Sequence, residues 1–123
     1  MENYMINQVL DALKTIRAPI QQGEYDLHAL VMRTLTEHGV PCMHEARLAP
    51  RCRIDILCGS VGVEIKRGKP ERARLVAQLT RYAQCDQLTA LVVVAEKSVA
   101  LPHTLAGKPL HVICLNRLWG IAL

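Results

Sequence analysis

Three charged residues, Asp55, Glu64 and Lys66, have the types and the spacing that could support metal-assisted hydrolysis. Asp55 lies in the apolar segment 53–57, and the other two lie in the apolar segment 61–66. Two carboxylates supply the oxygen ligands that a hard divalent cation prefers. A cation held there would activate a bound water, and a neighbouring ammonium would offset negative charge on a phosphate.

Both segments are typical of short β-strands, because Val and Ile alternate along them with period two. Side chains at positions i and i+2 of a strand share a face, so Glu64 and Lys66 are expected to point the same way. The same rule predicts that Ile54 and Ile56 share a face, with the intervening aspartate opposite. Residues 58–60 predict a hairpin that gathers the three charged side chains on one side of the sheet.

The composition indicates one mildly basic domain over residues 1–123 with an aliphatic core. Half of the 123 residues are hydrophobic, yet the aromatic residues are only three Tyr and one Trp. The formal charge of +4 is compatible with a nucleic-acid partner. There is no Gly-rich phosphate loop or dinucleotide fingerprint, so no nucleotide cofactor is expected.

The cysteines and the termini favour a cytoplasmic protein. The five cysteines are an odd number and form no CxxC pair, so we expect reduced, mostly buried thiols rather than zinc ligands or disulfides. The N-terminus lacks the basic start and apolar run of a signal peptide. No apolar stretch approaches the roughly 20 residues needed to cross a bilayer, so no membrane partner is expected.

The remaining periodicity predicts an α/β fold in which a mixed central sheet is flanked by helices. Apolar residues at helical spacing predict helices over 2–16, 24–38 and 71–85. Strands are predicted over 40–48, over the unbroken apolar run 91–94 and over 110–114. In the third helix Gln78 shares a face with Leu75 and Tyr82, so it is expected to point inward or along the sheet edge.

This order of elements resembles that of the PD-(D/E)XK nuclease superfamily. The matching residues are Asp55 after Ile54, Glu64-Ile65-Lys66 after eight intervening residues, and the downstream pair Gln78 and Tyr82. Ile54 occupies the position of the proline in the PD-(D/E)XK motif, so the chain departs from the motif there. The resemblance covers about residues 24–95 and implies a restriction-endonuclease-like core. The segment 105–110 also resembles small stand-alone proteins of this type from phages and prophages.

The resemblance implies a metal site and roles for individual residues. Mg²⁺, with Mn²⁺ as a substitute, would be held by Asp55, Glu64 and the backbone carbonyl of Ile65. Lys66 would hydrogen-bond the attacking water, and phosphodiester hydrolysis would leave a 5′-phosphate. Many members place an additional acidic residue in a helix upstream, where Glu24 lies, and Gln78 is a further site candidate.

Several assignments stay open in the sequence. Glu45, in the strand before the Asp55 strand, is the rival of Glu24 for the auxiliary acid. Tyr82 is also explained as a core aromatic residue, and Gln78 as a boundary residue bonded to backbone. Glu64 and Lys66 are also explained as an exposed ion pair on a solvated face of the sheet.

The basic run that begins at Lys66 predicts contact with DNA. We expect Arg67, Lys69 and Arg72 to contact phosphates, which gives binding without base readout. The expected function is magnesium-dependent DNA cleavage, including structure-selective cutting of junction or branched DNA. Such cutting needs two sites and favours a homodimer in a bacterial or phage-infected cell. The alternatives are a catalytically silent nucleic-acid-binding module and a phage factor that binds a host protein.

Overall fold

The computed structural model describes residues 2–17 and 26–118 of the chain. The described helices are α1 (Glu2–Leu13), α2 (Leu27–Glu37), α3 (Arg72–Ala83) and the one-turn α4 (Leu115–Leu118). The described strands are β1 (Met43–Ala49), β2 (Cys52–Cys58), β3 (Val61–Lys66), β4 (Ala90–Ala95), β5 (Thr104–Leu105) and β6 (Lys108–Cys114).

The strands form a six-stranded mixed sheet in the order β1-β2-β3-β4-β6-β5. The strands β1, β2 and β3 are antiparallel neighbours, so the predicted hairpin at 58–60 is confirmed. The strand β4 lies parallel to both β3 and β6, and the helix α3 makes the crossover from β3 to β4. The predicted α/β class, with a mixed sheet flanked by helices, is therefore confirmed.

Two apolar cores lie on the two faces of this sheet. One contains residues of α1 and α2, and the other contains residues of α3. The strand β4 contributes Val92 and Val94 to the first core and Leu91 and Val93 to the second. All residues of β4 are buried, which explains the unbroken apolar run in its sequence.

The prediction that Ile54 and Ile56 share a face is wrong. Ile56 packs in the core with α1 and α2, whereas Ile54 packs in the core with α3. Their partners on β1 are His44 and Ala46, respectively. Between those partners lies Glu45, whose φ of 53° is in the left-handed region. The regular alternation of β2 is therefore broken opposite Glu45.

The helix boundaries differ from the predicted ones at their ends. The helix α1 ends at Leu13, and α2 begins at Leu27 after Asp26, whose side chain accepts a hydrogen bond from the N–H of Ala29. The helix α3 begins at Arg72 after the N-cap Glu71. None of the helices in the described ranges has the length and apolar character needed to span a bilayer.

All five cysteines are free thiols, but only Cys58 is buried and the other four are half-buried. The prediction that most of the thiols are buried is therefore wrong, because only one of the five is. Burial raises the pKa of the Cys58 thiol to about 12, and the neighbouring Cys42 adds to this effect. The Cys58 thiolate is thus strongly disfavoured at neutral pH.

Candidate active site

The hairpin strands β2 and β3 separate at Asp55. Their regular pairing runs from Cys58–Val61 to Ile56–Val63 and stops there. Beyond that point, Oδ2 of Asp55 accepts a hydrogen bond from the N–H of Ile65 at 2.8 Å. Oε1 of Glu64 accepts one from the N–H of Asp55 at 3.4 Å. Side-chain carboxylates therefore replace the backbone ladder and are brought together at this opening.

The backbone carbonyl of Ile65 faces the same opening. In a strand, the N–H and the C=O of one residue point to the same neighbouring strand. The N–H of Ile65 points to Asp55, whereas the C=O of the next residue, Lys66, accepts the N–H of Glu96 on the β4 side at 2.9 Å. Three groups with oxygen ligands therefore border the opening, namely the Asp55 and Glu64 carboxylates and the Ile65 carbonyl.

Glu64 is a buried acid, with only 3% of its surface exposed. Its Oε2 lies 3.2 Å from Nζ of Lys66, which remains partly exposed. Burial raises the pKa of Glu64, and the nearby charge of Asp55 raises it further, while Lys66 opposes both effects. The ionised pair of carboxylates is thus held at an energetic cost that an added cation would reduce.

Gln78 and Tyr82 lie one turn apart on α3 and form a short hydrogen-bonded chain. Nε2 of Gln78 donates to the Tyr82 hydroxyl at 3.0 Å, and that hydroxyl donates to the Arg53 carbonyl at 2.9 Å. Burial raises the pKa of Tyr82, and the charge of Glu64 adds to this effect. The amide nitrogen of Gln78 therefore contacts Tyr82 and connects through it to β2.

Two basic clefts border the site and meet at Gln78 and Arg81. The first has a volume of about 350 Å³ and lies beside the β1–β2 turn, and the second has a volume of about 360 Å³ and lies beside the end of β3. The cations of the first are Arg47, Arg51, Arg53 and Arg81, and those of the second are Lys66, Arg67, Arg74 and Arg81. Each cleft thus presents four basic side chains to solvent, with Arg81 common to both.

The three predicted DNA-contact residues differ in their surroundings. Arg67 places Nη2 3.8 Å from Oε2 of Glu96. Arg72 donates from Nε to the backbone carbonyl of Ala100 at 2.7 Å, and Lys69 is exposed. The guanidinium groups of Arg67 and Arg72 thus already have protein partners. The arginines around the β1–β2 turn extend the positive surface beyond the predicted run.

The two candidates for an auxiliary acid are not equally placed. Glu24 lies outside the described residues. Glu45 is exposed, and its Oε1 lies 3.9 Å from Nη1 of Arg53. Within the ranges 2–17 and 26–118, no three His, Cys, Asp or Glu side chains are grouped to hold a metal ion. A cation bound at Asp55 and Glu64 would therefore use backbone carbonyl or water oxygens as further ligands in this part of the chain.

A further cleft, of about 730 Å³, lies away from the two carboxylates, between the end of α1 and the end of β6. Its cations are Lys14, Arg17 and Arg117, and it has no acidic residue in its lining. Size alone often marks a small-molecule site, but water activation needs ligands for a cation or a general base. The opening at Asp55 has such groups and the larger cleft does not.

No protein-family model matches this chain, and searches of the curated proteins and of the solved structures give no match either. The feature of this chain that most favours a functional site is the pair of adjacent carboxylates, one of them buried, with an ammonium beside it.

Proposed function

We propose that this protein is a metal-dependent deoxyribonuclease of the PD-(D/E)XK type, with a restriction-endonuclease-like core. The observation that carries the proposal is the meeting of Asp55, Glu64 and Lys66 where β2 and β3 separate. A structural ion pair at a sheet surface needs no second carboxylate and no interruption of the backbone ladder. Burying Glu64 beside Asp55 costs stability, which is typical of functional sites.

The donor set fits a hard divalent cation. Asp55, Glu64 and the carbonyl of Ile65 would hold Mg²⁺, and Mn²⁺ would replace it because both ions prefer oxygen ligands. When bound, the ion would polarise the scissile phosphate and acidify a water molecule. The raised pKa of Glu64 supports this assignment, because a cation there would favour the ionised carboxylate.

Lys66 would act on the substrate side of the site. Its ammonium contacts Glu64 yet remains partly exposed, so one group can reach both the carboxylate and an incoming water or phosphate. There it would orient the water and stabilise the charge that develops on the phosphate oxygens. Lys66→Ala is expected to lower the cleavage rate by about 10²-fold or more.

The two basic clefts would bind the phosphates that flank the scissile bond. Arginine is well suited to this because its planar guanidinium forms paired hydrogen bonds with phosphate oxygens. Aromatic residues for base stacking are scarce in the sequence, so we expect recognition through the backbone and the shape of the DNA. A homodimer would supply the two sites needed to cut both strands of a junction or a branch.

A cleavage panel tests the proposal directly. Labelled duplex, nicked, flapped, four-way and single-stranded DNA are incubated with protein in Mg²⁺, in Mn²⁺ or in EDTA. Cleavage is expected with either metal and none with EDTA. Asp55→Asn and Glu64→Gln are expected to lower the rate at least about 10²-fold while DNA binding persists. Asp86→Asn and Glu37→Gln, at exposed positions, are matched controls.

The outcomes separate the alternatives. Cleavage that persists in both Asp55→Asn and Glu64→Gln would rule out the proposed site. Salt-dependent DNA binding without any cleavage would indicate a silent nucleic-acid-binding module. Weak DNA binding that does not change with salt would exclude a phosphate-binding surface and favour a protein partner.

A further inference from the structure

Glu96 follows β4 directly, and its backbone is fixed on two sides. Its N–H donates to the carbonyl of Lys66 at 2.9 Å, and its carbonyl accepts the N–H of Asn116 at 3.2 Å. These bonds join the end of β3 to the start of α4 through Glu96. These two hydrogen bonds therefore fix the backbone position from which the side chain of Glu96 extends.

The side chain of Glu96 holds the turn that follows Lys66. Its Oε1 accepts the N–H of Gly68 at 2.8 Å, and its Oε2 lies 3.8 Å from Nη2 of Arg67. Gly68 has a φ of 66°, a left-handed conformation that glycine adopts at little cost. One residue thus contacts three consecutive positions, the carbonyl of Lys66, the side chain of Arg67 and the N–H of Gly68.

We propose that Glu96 is a positioning residue for Lys66. This inference rests on the proposed function, because it assigns Glu96 to the same site. Lys66 is the last residue of β3, and the ends of strands open easily unless they are tied down. The Glu96–Gly68 bond closes the chain immediately after Lys66 and so limits the directions in which its ammonium can point. Small displacements of such groups cost about 10²-fold in rate.

The charge of Glu96 has a second, separable effect on Arg67. Arg67 lines the second basic cleft, so Glu96 competes there with a phosphate for the same guanidinium. Glu96→Gln separates the two effects, since an amide oxygen still accepts the Gly68 N–H but no longer carries the charge. Glu96→Ala removes both the acceptor and the charge.

The test compares Glu96→Ala and Glu96→Gln with Glu37→Ala, which changes an exposed acid on α2. Single-turnover rate and DNA affinity are measured separately, and hydrogen exchange of the Gly68 amide is followed by NMR. Glu96→Ala is expected to lower the rate by about 10- to 100-fold and to speed exchange at Gly68. Glu96→Gln is expected to recover most of the rate, to keep Gly68 protected and to bind DNA more tightly. Should Glu96→Ala not fold, Glu96→Asp replaces it, because its shorter carboxylate falls short of Gly68.

Each result decides a different part of the inference. An unchanged Gly68 exchange rate in Glu96→Ala would disprove the anchoring contact. Faster exchange with an unchanged cleavage rate would leave a structural contact and overturn the positioning role. If the wild-type protein cuts no substrate, the proposed function fails together with the positioning role. The Gly68 amide would then still show whether Glu96 holds the turn.

Discussion

The hydroxyl of Tyr82 donates to the backbone carbonyl of Arg53 at 2.9 Å, and this bond ties α3 to the strand that carries Asp55. Gln78 donates to the same hydroxyl from one turn earlier in the helix. The helix that lines both basic clefts is thereby fixed to β2, two residues before the first carboxylate. The surface that would bind phosphates and the groups that would hold the metal are thus connected through Tyr82.

Tyr82→Phe is expected to weaken both stability and cleavage. The variant keeps the buried ring but leaves the Arg53 carbonyl and the Gln78 amide without this partner, at a cost of about 1–3 kcal/mol. The free energy of unfolding in urea measures the first effect, and the single-turnover rate measures the second. Tyr4→Phe, at a side chain that is largely exposed, is the matched control and should change neither. Equal stability of Tyr82→Phe and the wild type would show that the hydroxyl bonds contribute nothing.

Glu64→Gln is expected to stabilise the protein at neutral and alkaline pH. Burial and Asp55 raise the pKa of Glu64 above its ordinary value of 4.5, so the folded state binds this proton more tightly than the unfolded state. The wild type therefore loses stability as the pH rises from 4.5 through the raised pKa, and the full penalty persists above it. Glutamine carries no such penalty.

Thermal unfolding of Glu64→Gln and the wild type from pH 4.5 to pH 8 measures this effect. The difference in Tm should be largest at pH 8 and should shrink as the pH falls towards 4.5. Glu45→Gln, at an exposed carboxylate, controls for the general loss of a negative charge. A difference that does not depend on pH would mean that burial does not disfavour the charge of Glu64.

The sequence predicts well those elements whose side-chain pattern repeats for several residues. The alternation at 61–66, the apolar run at 91–94 and the helical stripe of α3 each correspond to an observed element. The pattern fails between Ile54 and Ile56, which pack in different cores beside the positive φ of Glu45, and no glycine marks this irregularity in the sequence. The strand β5 and the helix α4 are too short to show a period.

The candidate site was predictable only in part, because some of its contacts join residues that are far apart in the sequence. Glu64 and Lys66 share a strand and are two residues apart, so the spacing alone predicts that their side chains lie on the same face. The contact of Glu96 with Gly68 joins residues 28 positions apart and depends on the parallel pairing of β3 and β4. A glutamate directly after a central strand was the signal available in the sequence, but it does not specify a partner.

Gly62→Ala is expected to destabilise the hairpin that carries the site. A Cβ at Gly62 would lie 2.5 Å from Cδ1 of Ile54 and 3.1 Å from Cδ2 of Leu91. Overpacking of this kind costs about 1–3 kcal/mol. Urea unfolding measures the loss, and Ile54→Val in the same background removes the closest atom and should recover part of it. If Ile54→Val adds its own separate cost instead, the two positions do not couple and the predicted close contact is wrong.

Arg81→Ala is expected to weaken DNA binding and to reduce its salt dependence. Arg81 lines both basic clefts, so its loss removes positive charge from each of them. Losing one phosphate contact should lower the slope of log K against log salt by about one unit. Fluorescence anisotropy with Asp55→Asn protein, titrated at several salt concentrations, measures the slope without cleavage.

Arg33→Ala, which removes an exposed arginine on α2, is the matched control and has the same formal charge change. It should leave the slope unaltered, because α2 packs against the other face of the sheet. Equal slopes for the two variants would show that net charge, rather than these clefts, governs the binding.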